Sequence, residues 1–412
     1  MKKILFSILF LFFVQSEANS KSILIKPKQL LDVRSGKMIN ADILIESGVI
    51  KEVSRNIPVL IEYEIIELPD TTILPGLMDA HVHLTGNTDL KGHEGISESS
   101  YLATIYGVKN AKQTLLSGFT TVRNVGASNY SDVALRDGIE QKAILGPTLL
   151  VSGPPLGITG GHCDSNILPA EYEYKAQGVA DGPWEVRRKV RENKKYGVDL
   201  IKYCATGGVM SKGTNVNNRQ YTLDEMKAIV DEAHTLGMKV AAHAHGLDGI
   251  RMAIDAGVDS VEHSSLIDQE TVNLAISNNV FLSMDIYVSD YILGEGAKNG
   301  IPEYSLEKER IVGKKQRENF KMAVESGAKM VFGTDAGIYP HGKNARQFKY
   351  MVDWGMTSIE AIRASTINTA ELFGMKNIGE IKETFDADLI GIKGNPLDDI
   401  SLLENVHFVM KE

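Results

Sequence analysis

Thr71-Thr72-Ile73-Leu74-Pro75-Gly76-Leu77-Met78-Asp79-Ala80-His81-Val82-His83 is the stretch whose reading decides the fold. An apolar run broken at Pro75-Gly76 reads as an extended segment that opens a new domain. In a β-strand residues i and i+2 share a face, so both imidazoles of His81 and His83 can reach one ion while Val82 turns into packing. Alone, a His-x-His pair is weak evidence, because surface histidines at that spacing are common. The later partners change its meaning. Lys202 closes Val198-Asp199-Leu200-Ile201, His243 follows Lys239-Val240-Ala241-Ala242, His263 follows Asp259-Ser260-Val261-Glu262, and Asp335 ends Met330-Val331-Phe332-Gly333-Thr334. Each sits at the end of a short apolar run, and the six side chains together look like the ligand set of a two-metal hydrolase.

Helix-like stretches separate these runs. Residues 226–238 carry apolar positions at helical spacing, with Thr222 and Glu225 in capping-box register and Gly237 near the stop. Strand-then-helix units repeated along a chain predict an α/β fold with a parallel sheet. Eight candidate strands lie near 78–83, 119–125, 148–153, 199–205, 239–245, 259–264, 279–285 and 329–335. Eight such units make a TIM-like (β/α)8 barrel, whose active site lies at the carboxyl ends of the strands, where all six ligand candidates fall. Residues 22–70 instead show short alternating runs that read as an antiparallel β unit, and residues 385–392 and 408–410 have the same character. The expected organisation is therefore a barrel over 76–382 and a small composite β-sandwich built from both chain ends, 19–75 and 383–412.

The chain has 412 residues and a formal net charge of −9. Lys2 and Lys3, the apolar run Ile4 to Val14, and Ser16-Glu17-Ala18 read as a signal peptide, residues 1–18, and so predict export to a periplasm or the exterior. Its removal takes two lysines and one glutamate, so −9 becomes −10. No later run is long enough to span a membrane, and an acidic chain without basic clusters argues against nucleic acid and anionic membranes. The two cysteines, Cys163 and Cys204, supply no disulfide framework, and a core of this size needs none.

The motifs Leu74–His83, Gly118-Phe119-Thr120-Thr121-Val122-Arg123, Ile158-Thr159-Gly160-Gly161-His162, Ile201–Val209, His243-Ala244-His245-Gly246, Val261-Glu262-His263 and Gly333-Thr334-Asp335-Ala336-Gly337 carry a resemblance. Over nearly the whole mature chain the sequence resembles the amidohydrolase superfamily, in its imidazolonepropionase-like and Xaa-Pro dipeptidase-like branch. The resemblance implies a barrel with a composite β-sandwich, two divalent metals, and amide hydrolysis by a metal-bridging hydroxide. Its similar members act on Xaa-Pro dipeptides, on dipeptides with C-terminal Lys or Arg, or on ochratoxin-type amides.

On this reading His81, His83 and Asp335 hold the more buried metal, and His243 and His263 hold the second. Lys202 is the unusual member, because a lysine with an ordinary pKa of about 10.4 is a cation and cannot ligate a metal. The resemblance implies that carbon dioxide converts it to an N6-carboxylated lysine, whose two oxygens bridge the ions. Imidazole and carboxylate ligands suit zinc, and Asp335 is the natural proton shuttle. His245, on the face of His243, is a candidate oxyanion donor, and His162, after a Gly-Gly turn, is aimed at substrate. Tyr203, Lys212, Arg219 and His341 are candidates for gripping a substrate carboxylate. His93, His234 and His407 have no strand-end placement and read as structural.

Two departures from the family pattern stand out. Asn124 follows Arg123 where relatives commonly have Asp, so a supporting hydrogen bond there differs. Cys163 and Cys204 replace smaller or apolar residues; they read as two unpaired side chains, with a disulfide as the alternative. Residues 286–312 read as a loop over the site or a plain surface insertion. The function expected is an exported binuclear amidohydrolase acting on a small-molecule dipeptide or N-acyl amino acid, in a chain that allows a homo-oligomer. The alternatives are a cyclic-amide hydrolase or lactonase and, outside enzymes, a metal- or solute-binding protein, against which the intact Asp335 argues.

Overall fold

The computed structural model describes residues 22–88 and 94–411, so the expected signal peptide and His93 lie outside the described residues. Strands β1 (Leu77–Val82), β2 (Phe119–Asn124) and β3 (Thr148–Val151) form one parallel sheet. A second parallel sheet holds β4 (Leu200–Cys204), β5 (Lys239–Ala244), β6 (Ser260–His263), β7 (Phe281–Ser283) and β8 (Met330–Val331). The edges of the two sheets meet. Ala80 N donates to Phe332 O at 2.7 Å and His83 N to Ala336 O at 2.8 Å, while at the other edge Leu156 N donates to Lys202 O at 2.8 Å. Eight parallel strands in an α/β chain match the expected pattern.

Burial explains why these runs become strands. Every residue of β1, β2 and β4 is buried, as expected where helices cover the faces of parallel strands and no polar alternation survives. The helix Leu223–Thr235 begins at the expected capping box, with Glu225 N donating to Thr222 Oγ1 at 3.3 Å and Thr222 N to the Glu225 carboxylate at 2.8 Å.

Both chain ends contribute to a separate seven-stranded sheet, in which Leu389–Lys393 pairs with Glu64–Pro75 and with Phe408–Met410. The expectation of a purely antiparallel unit is corrected: Ile23–Asp32 and Glu64–Pro75 pair in parallel. The hairpin Asp42–Glu46 and Val49–Ser54 leaves one edge of Ile23–Asp32, and residues 55–63 return the chain to the other edge in the original direction. The segment 286–312 is also not an open loop. It contains the turns Val288–Tyr291 and Ile292–Gly296 and enters the long helix Glu303–Glu325, started by Pro302. No helix among the described residues is long and apolar enough to cross a membrane.

Candidate metal centre

A cavity of about 400 Å³ opens at the carboxyl ends of the parallel strands, lined by His81, His83, His162, Lys202, His243, His245, His263, Asp285, Glu309 and Asp335 among others. Strand ends position these groups because parallel strands bring their carboxyl ends to the same side of the sheet. All six ligand candidates from the sequence meet here.

His81 is fixed from behind by an ionic brace. Its Nδ1 lies 3.0 Å from Glu262 Oε2, and Glu262 Oε1 accepts from Arg123 at 2.7 Å and from Ser260 Oγ at 2.6 Å. Burial alone would raise the Glu262 pKa, but Arg123 and His81 outweigh it and hold the carboxyl well below its usual range. An ionised acceptor on Nδ1 requires the hydrogen there and leaves the Nε2 lone pair facing the cavity. Asp285 does the same for His263, whose Nδ1 lies 3.0 Å from both carboxylate oxygens, and Gln316 anchors Asp285 at 2.7 Å. Burial opposes protonation of His263, yet Asp285 overrides it and raises that pKa.

Backbone conformation matters as much. Glu262 and His263 are consecutive, and strand alternation would send them to opposite faces. His263 has φ 69° and Ser264 φ 47°, so the strand end turns through the left-handed region and both side chains serve one centre. Asp335 has φ 56°. Such conformations cost about 1–3 kcal/mol each in non-glycine residues and persist where surrounding contacts impose them. The preceding segment is held by buried Asp79, which accepts from Thr334 Oγ1 at 2.6 Å, Asn344 Nδ2 at 2.8 Å and His81 N at 3.1 Å.

Asp335 Oδ1 lies 3.2 Å from His83 Nε2 and 3.5 Å from His81 Nε2. Lys202 reaches the same space, 4% exposed, and its Nζ has no hydrogen-bond partner. Burial lowers its pKa to about 8, and burial holds His81 at about 4 and His243 and His245 well below 6.5. Neutral imidazoles are the form that ligates metals. Ligand atoms of His81, His263 and Asp335 lie within 4.8 Å of one another, and so do those of His243, His245 and His263. These donors can hold metal. His245, expected as an oxyanion donor, falls within the second group, and its Nδ1 meets Ser265 Oγ at 2.8 Å.

His162 enters from a loop. Its ring centroid stands 4.2 Å from that of His243, its Nδ1 lies 2.9 Å from Ser211 Oγ, and burial lowers its pKa to about 3. The ring packs directly on Gly208, where any side chain would collide with it. Lys308 ties the loop carrying Gly208 and Ser211 to the long helix, donating to Gly208 O at 2.9 Å. The next residue, Cys163, is joined to Cys204 at the end of β4 with a Cα–Cα separation of 6.0 Å, so the reading of two free cysteines is corrected. Cys204 lies two residues past Lys202 and therefore shares its face, which brings it to the cavity mouth.

The four carboxylate-gripping candidates do not line this cavity. Tyr203 follows Lys202 on β4, so alternation turns it outward into the core beside Tyr221. Lys212 is exposed on the loop tip, and Arg219 pairs at the surface with Asp248 at 3.3 Å. His341 is buried behind His83, whose carbonyl lies 3.2 Å from its Nε2. His234 pairs with Asp259 at 2.9 Å and His407 with Thr71 at 3.0 Å, both away from the cavity. Asn124 accepts from Leu84 N at 2.6 Å and donates to Asp132 at 3.2 Å.

Glu262, Arg123 and Asp285 were missed as site residues. Glu262 and Arg123 stand in quoted motifs, but nothing in their spacing says that they meet across the strands. Glu309, nearly two turns into the helix Glu303–Glu325, carried no signal.

The model of the Amidohydrolase family matches residues 72–412. The ochratoxinase of Aspergillus niger is 32% identical over 354 residues, covering 81% of this chain and 72% of its own length. A solved Xaa-Pro dipeptidase with methionine bound in its active site superposes with a TM-score of 0.90 at 38% identity, covering 95% of this chain and 98% of that one. A prolidase complexed with N-methylphosphonate-L-proline gives 0.87 at 29% identity, with 95% and 98% covered. With such matches over a centre of this geometry, the chain belongs to the amidohydrolase family, in the branch of these relatives, and is a hydrolase of amide bonds.

Proposed function

We propose that the chain hydrolyses the amide bond of a dipeptide, Xaa-Pro or one with C-terminal Lys or Arg, or of an N-acyl amino acid, at a centre of two divalent ions. One observation carries the reading: a buried lysine amine without a hydrogen-bond partner lies in one cavity with the histidine imidazoles and Asp335. A neutral amine is the form that adds carbon dioxide, and the resulting carbamate on Lys202 gives a histidine-rich set the anionic oxygens it lacks. His81, His83, Asp335, His243, His263 and carboxylated Lys202 would hold the ions, with His245 beside them; zinc suits this donor set. When bound, the ions polarise the scissile carbonyl and bring the pKa of bound water to about 7.

The chain's own groups do the rest. Asp335 receives the proton of the attacking water at a carboxylate oxygen and delivers it to the leaving nitrogen. His162 donates from Nε2 to the carbonyl oxygen when Ser211 Oγ supplies the hydrogen to Nδ1. Glu262 and Asp285 hold the imidazoles of His81 and His263 in one tautomer through the cycle. Apolar walls from Val125, Val209, Val288, Ile292 and Val312 exclude water. The prolidase and ochratoxinase relatives support the substrate classes.

The same reading takes the two edge-bonded parallel sheets as a closed (β/α)8 barrel over 76–382, and the seven-stranded sheet as a composite β-sandwich from 19–75 and 383–412. Export follows from the leader-like residues 1–18, and the disulfide supports an oxidising compartment. The test is hydrolysis of an Xaa-Pro, Xaa-Arg and Xaa-Lys library by mature enzyme prepared with zinc and bicarbonate. Turnover is expected; silence across the library with two metals bound per chain would overturn the dipeptide reading and point to ring-opening or bulky N-acyl substrates instead.

A further inference from the structure

One cavity wall holds a carboxyl that the chemistry above does not use. Glu309 lies on the helix Glu303–Glu325, is 3% exposed, and lines the cavity between Val288, Ile292 and Val312. Its Oε1 accepts a hydrogen bond from Ser289 Oγ. Space for this pair is made by Gly313, one helical turn on, where a Cβ would come within 2.7 Å of Glu309 Oε1 and collide with Ser289 Oγ. Glycine in a helix interior costs roughly 1 kcal/mol against alanine, so an open position here preserves the carboxyl at the expense of the helix.

Among the described residues no cationic side chain is bonded to it. Among the described lining residues Lys202 is the only lysine, and none is an arginine. The two cations whose charge Glu309 feels are both engaged elsewhere, His263 with Asp285 at 3.0 Å and Arg317 with Asp290 at 2.7 Å. Burial accordingly raises the Glu309 pKa to about 7. A buried carboxylate with one hydroxyl donor is costly until a cation reaches it.

We propose that Glu309, held by Ser289 over Gly313, receives a cationic group of the substrate, so that within the amide-hydrolase reading on which this inference rests the enzyme prefers substrates bearing an ammonium or guanidinium. That group has two sources, a basic side chain or the free α-ammonium of a dipeptide. The apolar residues flanking Glu309 take the aliphatic stem beneath either charge.

The experiment is a four-substrate comparison on the metal-loaded enzyme: Ala-Lys, Ala-norleucine and their N-acetyl forms. The wild type is expected to favour at least one cationic member of a matched pair about tenfold or more in kcat/KM, through KM. Loss of preference between Lys and norleucine in Glu309→Gln assigns the side-chain ammonium, and loss between free and acetylated forms assigns the α-ammonium. Gly313→Ala, which displaces the carboxyl without removing it, should lower the same ratio. A wild type that hydrolyses all four without a cation preference overturns the inference and leaves the amide reading standing. A Glu309→Gln enzyme that keeps the wild-type ratios, with both rates merely lowered, also overturns it. Hydrolysis of none of the four by an enzyme that still cleaves Ala-Pro overturns the inference alone, and failure on Ala-Pro as well overturns the underlying dipeptide reading with it.

Discussion

The two sides of the candidate metal centre are held by different forces. On the side of β1 and β6, His81 and His263 are set by buried carboxylates that are themselves bonded to Arg123, Ser260 and Gln316. On the side of β4 and β5, His162 and His245 rest on the hydroxyls of Ser211 and Ser265, on Gly208, and on a covalent tie between loop and strand. Charge-assisted bonds in a dry interior are strong and unforgiving, because removing one partner strands the other. Hydroxyl contacts are weaker and rotate to suit. The first side fixes its imidazoles through buried charge, and the second holds a loop-borne imidazole through packing, hydroxyl bonds and a covalent tie.

This contrast can be broken most forcefully at Glu262. Glu262→Gln leaves buried Arg123 without its counter-charge and should cost about 3–5 kcal/mol in denaturant unfolding, together with loss of retained metal. Opening the tie on the other side, by Cys163→Ser with Cys204→Ser, should cost less. A loop with a sequence separation of 41 is worth about 2–4 kcal/mol, and kcat should fall through misplaced His162 while metal content is kept. If the double variant also loses its metal, the two sides are not separate. Asp285→Asn should leave the fold intact and weaken metal retention roughly 10–100-fold in chelator titration. Ser211→Ala should cost about 1 kcal/mol, roughly fivefold in kcat/KM, with metal content unchanged. Arg219→Ala, outside both sides, should stay within about 0.5 kcal/mol in stability and leave kcat/KM at the wild-type value; a large drop in kcat/KM would return it to the site.

The same contrast explains what could be read in the chain. His81, His83, Lys202, His243 and Asp335 were legible because strand-end placement and the period of two are local properties. Tyr203 went wrong by that very rule, since a neighbour of Lys202 must face away. Glu262 escaped notice because alternation sets it opposite His263, and only the left-handed backbone at His263 removes that conflict. Arg123 and Asp285 became visible only when distant strands were placed side by side. The composite sheet was foreseen from alternating runs at both ends, but its parallel pair depends on the path of residues 55–63, which periodicity does not encode. Pairing of Cys163 with Cys204 likewise rests on a distance that spacing does not give.

The bond between Asp79 and Thr334 has a consequence in time. These residues are separated by 255 positions, yet Thr334 Oγ1 must reach Asp79 before the backbone around Asp335 can settle beside His81. Contacts of such long range form late, after the loop-closure entropy of the intervening chain has been overcome. During synthesis the first histidine pair therefore emerges with no completed pocket, and for most of translation it is an ordinary exposed motif. The candidate metal centre is in that sense a property of the finished fold, complete only when the segment after Met330–Val331 closes against Leu77–Val82.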